Sequence, residues 1–275
     1  MSEKHHLSAF LGSPLLGVAA SYSDESSLDA KVYICGVDVR IDNSLRLSFT
    51  KGHQFQVNDK VTIHLDNRTG ISEYDADLHV YRCSYKGLVT QIGVQAVVVT
   101  PMEFELWYGN RIALQYSTAD YQHPTDERHE FELPITPLTS LPTSDFREVE
   151  NKIGVLITRA VSQPHTTVLA FLSSEDDDIF LISLPKTFKS KLLKRDHKCY
   201  FAIDSRAVFT FTKQIEWNYT IIAADTYSIP KNHPLFEAIR DAFIQKNPWE
   251  VGFFSHPDIE MYHLKANKVI CPHRR

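Results

Sequence analysis

The chain is poor in cysteine, and its few cysteines are scattered. Cys35, Cys83, Cys199 and Cys271 form no CxxC pair. A structural zinc site built from paired cysteines is therefore excluded, and the thiols read as reduced, as in a cytoplasmic protein. No segment approaches the roughly 20 apolar residues that a membrane-spanning helix needs. The nearest is residues 7–20, apolar and ending in small residues like the core of an export signal. Glu3 offsets Lys4 there, however, and Gly12, Ser13 and Pro14 interrupt the run. A cytoplasmic chain with no membrane partner is expected. Also missing are a Walker loop, a GxGxxG turn and a Ser-His-Asp arrangement, so the catalytic residues stay unknown. Cys271-Pro272-His273 has no second ligand pair, and His256 and His263 read as ordinary surface or core histidines, so no metal site is expected.

What the chain does have is β-forming sequence. Of its 275 residues 43% are apolar, and Val, Ile, Phe, Tyr and Thr recur in short alternating blocks. Residues 1–150 hold 12 basic and 21 acidic side chains, a net of −9, and residues 151–275 hold 17 and 13, a net of +4. That asymmetry suggests two units, the second suited to an anionic ligand such as a phosphate and too mildly basic for nucleic acid.

A leader over 1–30 is expected to be irregular or partly helical. Strands at 31–39, 45–49, 60–66, 76–83, 88–99, 104–107 and 111–116 make residues 31–133 a small β-barrel. Pro134, Pro137 and Pro142 mark 134–145 as a linker. From 146 onward, strands are expected at 154–160, 166–173, 178–183, 198–204, 208–212, 216–228 and 260–264. Helices are expected at 146–151, 187–195 and 234–246. The fold class is mainly β, with few helices.

The segment Ser183-Leu184-Pro185-Lys186-Thr187-Phe188-Lys189 joins a strand to a basic helix. The first amides of a helix lack partners and its dipole is positive there, which favours an anion. Thr187 suits the cap, and Lys189 and Lys191 add full charge. Taken alone, such a segment is more often a capped surface helix with solvated lysines. Its order in the chain is more informative. Together with Leu192-Leu193-Lys194-Arg195-Asp196, His233-Pro234-Leu235-Phe236 and the closing Glu260-Met261-Tyr262-His263-Leu264, it resembles the pyridoxamine-phosphate-oxidase-like family of FMN-binding split barrels over about residues 150–270.

That resemblance implies a C-terminal split β-barrel, an FMN cofactor, and a homodimer whose two subunits build the flavin site. Ser183, Thr187 and Lys189 fall on the phosphate-holding positions, with Phe188 between them. Thr167, Val168 and Leu169, at the start of the strand 166–173, are expected among the flavin-binding residues; Trp217, with Asn218 and Tyr219, either stacks on the flavin ring across the dimer interface or forms the core and rim of a strand. The oxidases of that family carry an arginine where Phe188 stands and another near Thr166, and their closing Arg-x-His motif is absent here, so vitamin B6 chemistry is not implied. The expected function is FMN binding, with flavin-dependent oxidoreduction of an unidentified small substrate. The alternatives are a non-enzymatic binding or regulatory module, or a haem-binding relative. The N-terminal half loosely resembles PilZ-type barrels but lacks their Arg-rich and Asp-x-Ser-x-x-Gly motifs.

Overall fold

The computed structural model describes residues 6–23, 29–67, 79–121, 126–203 and 219–270. Most of these lie in strands, and the chain folds into a closed barrel followed by a half-barrel. No helix among the described residues is long and apolar enough to cross a membrane.

The first unit begins with the short helix α1 (Ser8–Leu11), whose Leu11, with the preceding Leu7, enters the barrel core. Strands β1 (Leu15–Tyr22), β2 (Ala30–Val39), β3 (Leu45–Ser48), β4 (Lys60–Asp66), β5 (Tyr81–Ile92) and β6 (Ala96–Tyr108) follow, with β7 (Arg111–Ser117) at the edge. The sheet runs β3-β2-β1-β4-β5-β6-β7, and pairing of β3 with β6 closes six strands into a barrel. Alternation explains its interior. Val61, Ile63 and Leu65 of β4, Cys83 and Tyr85 of β5, and Phe104 and Leu106 of β6 all point inward and are fully buried. Burying each large apolar side chain stabilises the fold by about 1.5–3 kcal/mol. The buried Tyr85 hydroxyl donates to the carbonyls of Asn43 and Val99, so it leaves no unmet polar group.

Two sequence expectations need correction here. Residues 15–22, expected to belong to a leader, are β1, at the middle of the sheet. The expected strand 88–99 is the end of β5 and the start of β6. The chain reverses between them, where the Gly93 amide donates to the Ala96 carbonyl. In β5, Gly87 sits at a register shift where an added Cβ would lie 2.5 Å from the Thr100 carbonyl oxygen, so only glycine fits.

The second unit holds β8 (Ile153–Thr158), β9 (His165–Ala170), β10 (Leu172–Ser173), β11 (Ile179–Ser183), β12 (Lys198–Ile203), β13 (Thr220–Ile229) and β14 (Glu260–Ile270). Their order is β10-β11-β14-β13-β12-β8-β9. The two edge strands, β9 and β10, are consecutive in the chain and separated only by buried Phe171, so the sheet curls round without its edges pairing. Helix α2 (Phe188–Arg195) buries Leu192 and Leu193, as their spacing predicts. Helix α3 (Phe236–Lys246) starts just after Pro234 and packs Phe236, Ile239 and Phe243 on Leu172, Phe180, Ile229 and Met261. A 3-10 turn, Pro248–Glu250, leads into the short α4 (Val251–Phe254). Strand β14 continues six residues beyond the expected 260–264. The expected strand 208–212 lies outside the described residues.

Residues 134–145 form no helix or strand, but they are docked on the second unit. The Thr136 amide donates to the Ser228 carbonyl at 2.9 Å, and the Asp145 amide to the Ser173 carbonyl at 2.9 Å. Barrel and half-barrel meet along an apolar seam. Leu16, Val18 and Ala20 of β1 and Ile34 of β2 pack on Val155, Ile157, Ala202 and Ile221. At its ends Tyr22 Oη donates to the Ala160 carbonyl, Thr62 Oγ1 to the Pro164 carbonyl, and Arg159 pairs with Asp29 at 2.6 Å.

Candidate functional site

Thr187 ends the loop after β11 in extended conformation, and its Oγ1 accepts from the Ser190 amide as the cap of α2. The hydroxyls of Ser183, Thr187 and Ser190 lie 2.9 Å from one another, and Thr187 Oγ1 also donates to the Leu184 carbonyl at 2.9 Å. This small network is satisfied within itself and fixes the shape of the loop. Lys189 follows two residues on, half-buried. Burial pushes its ammonium below the usual lysine range, and among the described residues no carboxylate pairs with it.

Lys189 lines a cavity of about 340 Å³ together with Val168, Leu169, Ser183 and Thr187. These are five of the eight residues singled out from sequence. The opposite wall holds residues that the sequence did not suggest. Arg82 reaches in from β5 of the first unit, and Trp249, Glu250 and Phe253 come from the turn and helix after α3. Arg82 Nη2 donates to the Gly109 carbonyl, and no carboxylate pairs with it among the described residues. Burial raises the Glu250 carboxyl above its ordinary range, only partly offset by a hydrogen bond from Trp249.

The other expected residues stand apart. Phe188 turns its ring edge-on to His165, 4.9 Å between centroids, and supplies no charge where the resembled oxidases have an arginine. Thr167 shares a 3.1 Å hydrogen bond with His165 Nε2 and lines a neighbouring cavity. Trp217 lies outside the described residues. His263 is fully buried and stacked on Phe180, with Nδ1 2.8 Å from Thr136 Oγ1 and Nε2 3.0 Å from Asp178 Oδ2, poorly aligned for a hydrogen bond. No cluster among the described residues could hold a metal. Cys35, Cys83 and Cys199 are buried, and burial raises all three thiols, which makes them inert.

The neighbouring cavity, about 370 Å³, opens between β9 and the outer face of β4, β5 and β6, and shares Arg82 and Val168 with the first. The two cavities thus adjoin at the cleft between barrel and half-barrel. Polar residues alternate along those strands and would ordinarily face water, but here His64 and Lys86 are each 5% exposed. Lys86 is held by Glu103 at 2.6 Å.

No protein-family model and no curated protein matches this chain. Solved structures do. HutZ, a haem storage protein from Vibrio cholerae, aligns at 13% identity and a TM-score of 0.38, over 46% of this chain and 90% of its own. An FAD-binding protein from Mesorhizobium loti aligns at 13% identity and a TM-score of 0.35, over 43% of this chain and 82% of its own. An F420 reductase aligns at 11% identity and a TM-score of 0.31, over 44% of this chain and 90% of its own.

Proposed function

We propose that the chain binds FMN in the cleft between barrel and half-barrel, with the phosphate at the head of α2. One observation carries this reading: Lys189 is a half-buried cation with no anionic partner among the described residues, beside a capped helix start and facing a cavity. Burying an unpaired charge is costly, so a site that does so calls for an anion. Arg82, also free of a carboxylate partner, lines the same cavity and supplies a second positive charge. Each charge-assisted contact to phosphate contributes about 1.5–3 kcal/mol. A cavity of about 340 Å³ is of ordinary small-ligand size, and the neighbouring cavity extends it.

In the resembled family two subunits build the flavin site. Here β5 of the same chain supplies Arg82, so part of the facing wall comes from the same polypeptide. The flavin, when bound, supplies hydride or electron chemistry, while the protein binds, orients and shields it. No side chain in the cleft is assigned as a general acid or base. Oxidation or reduction of a small substrate in the cytoplasm is the active form of this reading. The non-enzymatic form keeps the ligand for binding or regulation.

Reconstitution separates flavin from haem. Purified protein incubated with FMN and passed over a desalting column should keep the flavin absorption bands in stoichiometric amount. Protein that emerges colourless from FMN and instead develops a Soret band with haem contradicts the proposal.

A further inference from the structure

A cavity of about 520 Å³ lies on the opposite flank of the seam from the cleft proposed for FMN. The strand order places it there. The cleft opens on the β4 side of β1, against β9, whereas this cavity is lined by β2 and by residues at the start of β13 and the end of β14. The remaining wall is the loop 49–54, which leaves β3 for β4. That loop is held in shape. Phe49 and Phe55, both buried, pack on Tyr33 with ring centroids 5.2 and 5.1 Å away. The Gln54 amide donates to Tyr33 Oη at 3.0 Å. His53 Nδ1 accepts from the Phe55 amide at 3.2 Å, so the ring proton sits on Nε2, 2.9 Å from the Gly93 carbonyl oxygen. His53 thus serves the loop and has no nitrogen left for a ligand.

The charges on this wall have one sign. Lys31 comes from β2, Lys51 from the loop and Lys268 from β14, and no carboxylate lines the cavity among the described residues. Lys31 Nζ donates to the Gln54 carbonyl at 2.8 Å, and its ion pair with Asp59 is loose, at 3.8 Å. Lys51 and Lys268 are exposed and have no ion pair or hydrogen bond among the described residues. Like charges gathered on one wall raise the local potential, and an anion between them relieves it. This occurs although residues 1–150 carry a net charge of −9. An ammonium is a point charge that suits the tetrahedral oxygens of phosphate, whereas the fork of arginine matches a planar carboxylate, and no arginine lines this cavity. Ser23 and Thr50 line it too and carry hydroxyl donors. The volume suits a small molecule. We propose that this cavity binds a small compound carrying two or more phosphate-type charges, held between Lys51 of the barrel and Lys268 of the half-barrel. The site shares no residue with the FMN cleft, so it stands or falls apart from the flavin reading.

Inorganic pyrophosphate is the probe, titrated calorimetrically into the full chain at about 0.15 M chloride, where weak surface attraction is screened. The cleft cations could take up the same anion, so Arg82→Ala/Lys189→Ala protein is titrated as well. Saturable binding of one pyrophosphate per chain should remain there. In that background Lys51→Ala and Lys268→Ala should each weaken binding about tenfold, and Lys51→Arg should keep most of it. Both lysines are exposed, so unfolding temperatures should stay near wild type. Lys231→Ala, beyond the opposite end of β13, removes the same charge and should leave the affinity unchanged. ADP titrated in parallel separates two sources of the anion. Tighter binding than pyrophosphate assigns the site to a nucleotide, and equal or weaker binding assigns it to the phosphate groups alone; either result upholds the site. No saturable binding in the protein without the cleft cations, or equal weakening by Lys231→Ala and Lys51→Ala, would overturn it.

Discussion

A lysine surrounded by carbon releases its proton more readily than one in water, because burial penalises the charged form. Lys189 is in that position, and its pKa is lowered by burial. An anion beside it should therefore bind well while the ammonium is charged and lose affinity as pH rises through that lowered value, below the ordinary lysine pKa of about 10.4. Arg82 stays charged throughout that range, so part of the affinity should persist. Glu250, held above its usual range by burial, is the acidic group on the same wall. FMN and riboflavin titrated in parallel between about pH 8 and 10 test this, because the ring's own ionisation is common to both. Their ratio of affinities should fall with pH. A constant ratio would remove Lys189 from the phosphate site. The spacing of Ser183, Thr187 and Lys189 made this end of the cleft legible in the sequence, since caps and helix starts are local. Arg82 was illegible, because nothing local tells a strand arginine which surface will cover it.

Strand β1 shows why a central element can escape a sequence reading. A strand buried on one face alternates, but β1 is buried at every position, with Leu15 and Ala19 in the barrel core and Leu16, Val18 and Ala20 in the seam. It therefore reads as one apolar run, like the core of an export signal. The outer faces of β4 to β6 erred the other way. Their alternation gave the strands, but the polar set looked solvated, and only the packing of β9 makes it a cavity wall. Helix α3 was legible because one apolar stripe at helical spacing meets one surface. If β1 joins the two units, Val18→Ala should cost about 2 kcal/mol in urea unfolding, since the lost methyls leave a void in the seam. The same truncation at Val94, 91% exposed, should change stability by less than about 0.5 kcal/mol. Equal, small effects at both positions would mean that the seam is not tightly packed.

At the scale of the whole molecule, the two halves were expected to be separate units joined by a linker, and the charge difference between them was visible in the sequence. The linker proved to be a strap docked on the half-barrel, and the cleft that it does not cover takes one cation from each unit: Arg82 from the barrel and Lys189 from the half-barrel. A ligand spanning the two should depend on both. FMN affinity measured by fluorescence quenching in wild type, Arg82→Ala, Lys189→Ala and the double variant tests this most directly. Each single change should weaken FMN by about one to two orders of magnitude, since every 1.4 kcal/mol is tenfold, and Arg82→Lys should recover part of the loss. Riboflavin, which lacks the phosphate, should bind all four proteins alike. FMN affinity equal to wild type in both single variants would contradict an anion site between the barrels.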